Sequence, residues 1–147
     1  MSGIFTLFIK CVGGRHLKEP YQFVIEAPVE LTLGDLTSCI LGMVDFEGDH
    51  LDEFYLANGL FGKKTWLTPD GEWTEDDAHV VDMPLSAIFP LPKNKMLYYL
   101  YDFGASWCFQ ITKRGKATKS QPEIDYPCIV SQTGVKPKEY GEHEDWD

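Results

Sequence analysis

The segment DHLDEF supplies a candidate group of one histidine and two carboxylates, His50, Asp52 and Glu53. Residues two apart on a β-strand share one face, so His50 and Asp52 are predicted to point the same way. An imidazole and a carboxylate together can bind a divalent metal ion. A complete site needs further ligands, and the available donors are Asp102, Glu139, His143 and the other C-terminal carboxylates. The spacing alone does not bring these groups together, and a solvated strand end is the simpler interpretation.

The tyrosine-rich segment MLYYLYDFGASWCFQI predicts a β-hairpin, with strands over residues 96–103 and 106–113 and a tight turn near Gly104. Alternation along the first strand predicts two faces, with Tyr99, Tyr101 and Phe103 on one and Tyr98, Leu100 and Asp102 on the other. Aromatic residues on both faces predict a strand inside the sheet, covered on both sides. Core packing is the simpler interpretation of these rings, and the alternative is a ligand platform with Asp102 at its edge.

Four cations lie within seven positions of the chain and could hold a phosphate or an acidic partner: Lys113, Arg114, Lys116 and Lys119. They are not interleaved with aromatic residues and no helix is predicted there. A hairpin tip kept soluble by its charge is therefore the simpler interpretation.

Motifs of nucleophilic catalysis are missing from the sequence. There is no GxSxG elbow, no HExxH, no GxGxxG and no phosphate-binding glycine loop. Pairings of a cysteine with a histidine stay open, because four residues of each type are present and nothing in the sequence selects one pair. The identity of any catalytic residue is therefore left unknown.

The elements that position these residues can be read from hydrophobic periodicity and turn signals. Residues 4–12 and 21–27 predict an antiparallel hairpin. Thr32 followed by Asp35 resembles a capping box before a helix, because apolar residues then repeat at helical spacing up to Val44. A third strand, a short helix over residues 84–89, the tyrosine hairpin and a final strand near residues 124–130 follow. This order predicts an α+β fold, a roll with a β-grasp-like start, in which one main helix and a short second helix pack on a single mixed or antiparallel sheet.

Two acidic segments lie outside this framework. Residues 60–82 contain a PDG turn and predict a solvated excursion, an ordered loop with short strand pieces. Residues 136–147 predict an irregular acidic tail.

Size and composition favour one domain over residues 1–147. The net charge of −10 disfavours direct contact with nucleic acids or membrane surfaces, since both are polyanionic. The four cysteines are widely spaced without a CxxC pair, which predicts reduced thiols in a cytoplasmic protein.

Several segments resemble a known family when they are taken in order: LTLGDL, HLDEF, PLSAIF, YLYDFGASW and the ending YPCIVSQTGVKPKEYGEHEDW. The chain resembles the plasmid pRiA open-reading-frame-three-like family, also called the insertion-sequence TnpR passenger family, and looks like a divergent member. Polar family positions are occupied here by Asp52, Ala105 and Phe109, and the family's PPED is replaced by PKEY at residues 137–140. If the family's polar positions form a site, this chain retains mainly His50, Asp102 and Glu139.

The TnpR label suggests a recombinase, but recombinases need several arginines around the reacting phosphate, and this chain has only Arg15 and Arg114.

The leading hypothesis is a non-catalytic domain that binds a protein or a small ligand without a cofactor. Its polar or ligand site is predicted to contain His50, Asp52, Tyr101, Asp102 and Glu139. The alternative is a divalent-metal-dependent hydrolase that uses His50, Asp52, Asp102 and Glu139. An accessory role in mobile-element DNA transactions is a third hypothesis that rests on the family label alone. The oligomeric state is not predicted.

Overall fold

Six antiparallel strands form the main sheet in the computed structural model, which describes residues 3–76 and 78–140. The elements in chain order are β1 (Gly3–Gly13), β2 (Tyr21–Pro28), α1 (Leu33–Val44), β3 (Asp52–Ala57), β4 (Trp66–Leu67), β5 (Trp73–Thr74), α2 (Leu85–Ile88), β6 (Met96–Tyr101), β7 (Trp107–Lys119) and β8 (Cys128–Gly134). The strand order in the sheet is β3-β6-β7-β1-β2-β8, and β4 and β5 form a separate two-stranded sheet.

The predicted α+β class is wrong, because the fold is mostly β, with 42% of residues in strands and 12% in helices. Among the helices of the described residues, only α1 has seven residues or more. Two strands run further than their apolar patterns predict: β7 has 13 residues and continues through the basic segment to Lys119, and β8 continues to Gly134. Their polar ends gave no strand signal in the sequence, since a strand end exposed to water needs no apolar residues.

The predicted capping box is present at the start of α1. The Asp35 N–H donates to Thr32 Oγ1 over 3.2 Å, and the Thr32 N–H donates to Asp35 Oδ2 over 3.5 Å. These two bonds satisfy N–H groups that a helix end otherwise leaves without a partner. The apolar face of the helix buries Leu33, Leu36, Ile40 and Val44 in the same cluster as the core residues of the sheet.

The core lies mainly on the face of the sheet that α1 covers. Its largest fully buried side chains include Trp107, Tyr99, Tyr101, Phe109 and Phe23. A smaller cluster on the opposite face contains Tyr55, Ala57, Tyr98 and Cys108. Strand β6 lies between β3 and β7 and contributes buried rings to both clusters, which confirms the prediction of an inner strand covered on both sides.

The described part of the acidic excursion contains two short strands, β4 and β5, around a turn in which the Thr68 N–H donates to Glu72 O over 2.7 Å. Thr65 pairs with Leu56 and so attaches this segment to the outer edge of β3. Asp77 and the end of the predicted tail, residues 141–147, lie outside the described residues.

All four cysteines are unpaired thiols, as the sequence predicts, with Cys11 and Cys108 buried and Cys39 and Cys128 half-buried. In the described part of the chain, no helix is both long and apolar enough to cross a membrane.

Candidate functional site

Three carboxylates surround the imidazole of His50. Its Nε2 atom lies 3.4 Å from Asp49 Oδ1, 3.6 Å from Asp102 Oδ2 and 3.7 Å from Glu139 Oε2. The hydroxyl of Tyr140 lies 3.1 Å from the same nitrogen. We call Asp49, His50, Asp102 and Glu139 the His50 cluster. The structure therefore brings together His50, Asp102 and Glu139, which sequence analysis placed in one predicted site.

Glu139 is the most deeply buried member of the His50 cluster, with only 5% of its side chain exposed. The Glu47 N–H donates to its Oε1 over 2.8 Å, and the Tyr101 hydroxyl donates to its Oε2 over 3.0 Å. The indole N–H of Trp107 donates to its backbone carbonyl over 3.2 Å. These bonds fix the carboxylate so that Oε2 faces His50.

Tyr101 connects the buried core to the His50 cluster. Its ring is fully buried at the end of β6, and its hydroxyl accepts the N–H of Gly48 over 2.8 Å while donating to Glu139. Burial, together with the hydrogen bond to the Glu139 carboxylate, raises the pKa of Tyr101 above its ordinary value. The hydroxyl is therefore a neutral donor at every physiological pH.

Asp102 reaches His50 because the strand ends just before it. Asp102 has a left-handed backbone with φ of 61°, and its N–H donates to Leu51 O over 2.9 Å. The Ala105 N–H donates to Oδ1 over 3.3 Å, so Oδ2 is the atom that faces His50. The prediction that Asp102 shares a face with Tyr98 and Leu100 is wrong, since alternation applies only to extended backbone.

Asp52, which the sequence pairs with His50, lies outside the His50 cluster. Its Oδ1 lies 3.2 Å from His79 Nε2, and its Oδ2 accepts a 2.6 Å hydrogen bond from the Tyr99 hydroxyl. The reason is that β3 begins at Asp52, so His50 precedes the strand and the two-residue alternation does not relate them.

Asp49 is the member that sequence analysis missed. One donor atom each of Asp49, His50 and Glu139 lies within 4.8 Å of the others. Donor atoms around one metal ion at about 2.1 Å are roughly 3.0–3.4 Å apart, so these atoms would have to move closer together to share one cation. The signal that could have identified Asp49 was its position directly before His50.

The His50 cluster is buried on one side and open on the other. Glu139 and Asp102 are 5% and 16% exposed, whereas His50 and Asp49 are 34% and 59% exposed. A cavity of about 490 Å³ lies beside Glu139 and Tyr140, and Lys136 and Lys138 also line it. The arrangement thus combines a fixed inner carboxylate with ligands that water or a small molecule can reach.

The basic segment predicted at a hairpin tip lies instead along β7. The Lys113 ammonium lies 5.4 Å from the centre of the Phe5 ring, and the Arg114 guanidinium lies 4.2 Å from the centre of the Phe8 ring. Both cations therefore cover aromatic rings of the neighbouring strand β1.

The matched region of a known family covers most of the chain and all of the His50 cluster. The family described as plasmid pRiA4b ORF-3-like protein matches residues 18–143. The chain belongs to this family. The resemblance identified from the sequence is thereby confirmed.

A solved structure with the same fold is the crystal structure of the protein of unknown function MM3350 from Methanosarcina mazei Go1. It is 25% identical to this chain, the match covers 90% of this chain and 70% of that chain, and the TM-score is 0.67. No curated protein matches the chain significantly. Family and structural neighbour are both uncharacterised, so the function must be argued from the site.

Proposed function

We propose that this protein is a binding domain whose ligand is a divalent cation, held by Asp49, His50 and Glu139. The observation that carries the proposal is the convergence of their donor atoms to within 4.8 Å of one another. Asp102 lies close enough to serve as a further ligand or to orient the His50 ring, since its Oδ2 is 3.6 Å from Nε2. The proposal keeps the non-catalytic role of the leading hypothesis but takes its metal ligand from the alternative one.

Preorganisation of Glu139 supports the proposal. A carboxylate already fixed by the Glu47 N–H and the Tyr101 hydroxyl loses little freedom when it binds an ion. Outer partners of this kind commonly orient metal ligands in proteins.

Electrostatics supports it as well. Three carboxylates around a single imidazole carry more negative charge than one protonated histidine can neutralise. A divalent cation between them would offset the remaining repulsion. The donor set of several carboxylate oxygens and one imidazole nitrogen suits Mn²⁺, Fe²⁺ or Zn²⁺ better than soft ions such as Cu⁺.

The test is whether the chelator-treated protein binds Mn²⁺ or Zn²⁺. Isothermal titration calorimetry measures the binding, and thermal unfolding with and without the metal measures the stabilisation. Binding stabilises the folded state by about 2.7 kcal/mol when the free metal is at about one hundred times its Kd. We expect His50→Ala and Glu139→Gln to remove most of this stabilisation.

His79→Ala is the matched control, because His79 also lies beside a carboxylate, Asp52, but belongs to a pair and not to the cluster. We expect this variant to bind metal as the wild type does. Failure of the wild-type protein to bind either metal, or an equal loss in His79→Ala, would reject the proposal.

A metal-dependent hydrolase is the second candidate, favoured by the cavity beside Glu139 and Tyr140. Glu139 is the metal ligand that lines it, and Lys136 and Lys138 in the same lining could hold an anionic group such as a phosphoester once Lys136 leaves its 3.3 Å pair with Asp45. The metal-loaded protein should then hydrolyse p-nitrophenyl phosphate, and His50→Ala should abolish the turnover. Metal binding without turnover of this ester would reject the hydrolase and leave metal binding as the only proposed role.

A further inference from the structure

Strand β8 forms one edge of the six-stranded sheet, and it pairs with β2 on its inner side. No described segment pairs with its outer side. The opposite edge differs, because Thr65 exchanges two backbone hydrogen bonds with Leu56 on the outer side of β3, of 2.8 and 2.9 Å. Within the described part of the chain, β8 therefore presents the longer uncovered row of backbone groups of the two edges.

The composition of β8 does not protect this edge. The strand CIVSQTG contains no charged residue and no proline, although the chain carries a net charge of −10. Natural edge strands that avoid pairing usually carry lysine, proline, inward-pointing charges or a β-bulge, and of these β8 has only the irregularity at Val130. Ile129 and Val130 are 46% and 54% exposed, and the register shift between Val24 and Ile25 leaves Val130 without an opposite residue on β2. An added strand would cover these two side chains.

We propose that β8 pairs with β8 of a second copy of this chain, so that one antiparallel sheet runs through both copies. A two-fold axis makes such self-pairing antiparallel and places the same surface on both sides of the interface. The partner's identity follows from the charges on either side of the strand. Glu123 and Asp125 precede β8, whereas Lys138 and Lys136 follow it, the latter with its ammonium 3.3 Å from Asp45 of the same chain. Antiparallel pairing brings the acidic end of one copy towards the basic end of the other, which parallel pairing would not do.

Analytical ultracentrifugation over a series of protein concentrations tests the proposal. The wild-type protein is expected to form dimers whose fraction rises with concentration. Val130→Lys should weaken the dimer by about tenfold or more, since it places a charge where an apolar side chain becomes covered.

Val81→Lys is the matched control. Val81 is 48% exposed and lies beside the start of α1, where its carbonyl accepts the N–H of Gly34. Both variants add the same positive charge and lower the general repulsion between copies equally. We expect Val81→Lys to dimerise as the wild type does, and circular dichroism with urea unfolding verifies that both variants are folded.

Hydrogen exchange of the wild-type protein gives a second measurement that needs no variant. Amides of residues 128–134 should exchange more slowly at high protein concentration than at low concentration. A protein that stays monomeric throughout, a Val130→Lys variant that associates like the wild type, or concentration-dependent protection confined to other elements would overturn the proposal.

Discussion

The Tyr101 hydroxyl donates a 3.0 Å hydrogen bond to Glu139, a residue 38 positions further along the chain. The same oxygen accepts the N–H of Gly48, 53 positions earlier. One buried hydroxyl thus connects the end of β6, the segment after α1 and the segment after β8. The geometry of the His50 cluster depends on this connection, because Glu139 belongs to none of the regular elements.

Replacing Tyr101 with phenylalanine should test the connection directly. The ring stays in the core, but the Gly48 N–H and the Glu139 carboxylate both lose a partner, so we expect a loss of about 1–3 kcal/mol in the free energy of unfolding. Urea unfolding measures this loss. Tyr98→Phe is the control, since the Tyr98 hydroxyl donates to the Met96 sulfur, a weak acceptor, over 3.7 Å. A similar loss in both variants would contradict a special role for Tyr101.

Local sequence signals predicted much of the secondary structure. The Thr32 and Asp35 capping box and the apolar repeat that follows predicted the position of α1, and segments rich in β-branched and aromatic residues on either side of a turn predicted the hairpin of β1 and β2. These features involve residues close in sequence. The fold class was wrong because the polar halves of β7 and β8 pair through backbone bonds, which leave no apolar pattern.

The candidate site was predicted in part, and its errors have a common cause. His50 and Asp52 were assigned to one face on the assumption of a continuous strand, but β3 begins only at Asp52. Asp102 was assigned to the wrong face, because its φ of 61° interrupts the alternation. Positions of this kind depend on contacts between distant segments and not on local propensity. Whether these residues bind a ligand stays a prediction.

Gly14 offers a test of the packing beneath the site. A Cβ atom added there would overlap the six-membered ring of Trp107, whose indole N–H donates to the Glu139 carbonyl, and Gly14 has φ of 154°. We expect Gly14→Ala to destabilise the protein by about 1–3 kcal/mol or more through overpacking. The neighbouring variant Gly13→Ala is the control, because its Cβ would meet Cys108 at an ordinary 3.6 Å. Thermal and urea unfolding of both variants compare the two sites, and equal effects would contradict the packing argument.

The stability of the protein should fall in alkaline solution. Burial raises the pKa of Tyr99 above its ordinary value of 10.0, and its 2.6 Å hydrogen bond to Asp52 raises it further. Below about pH 10 the phenol is neutral in both the folded and the unfolded state, so its contribution is complete. Above that pH the unfolded chain releases a proton that the folded chain keeps, so Tyr99 alone lowers the free energy of unfolding by about 1.4 kcal/mol per pH unit. Burial also raises the pKa of Cys11 from 9.0 to about 12. The stability that Cys11 contributes therefore begins to fall about one pH unit below the pH at which the Tyr99 contribution begins to fall.

Urea unfolding at a series of pH values between about 8 and 11 measures this slope. Tyr99→Phe should be less stable than the wild type near neutral pH, because Asp52 loses its shortest hydrogen bond. The same variant should show a shallower decline above about pH 10, since one titrating group has been removed. The variant is thus less stable than the wild type at neutral pH but loses less stability per pH unit above about pH 10. A simple loss of packing would lower the stability without changing this slope. An unchanged slope in Tyr99→Phe would show that other groups cause the alkaline loss.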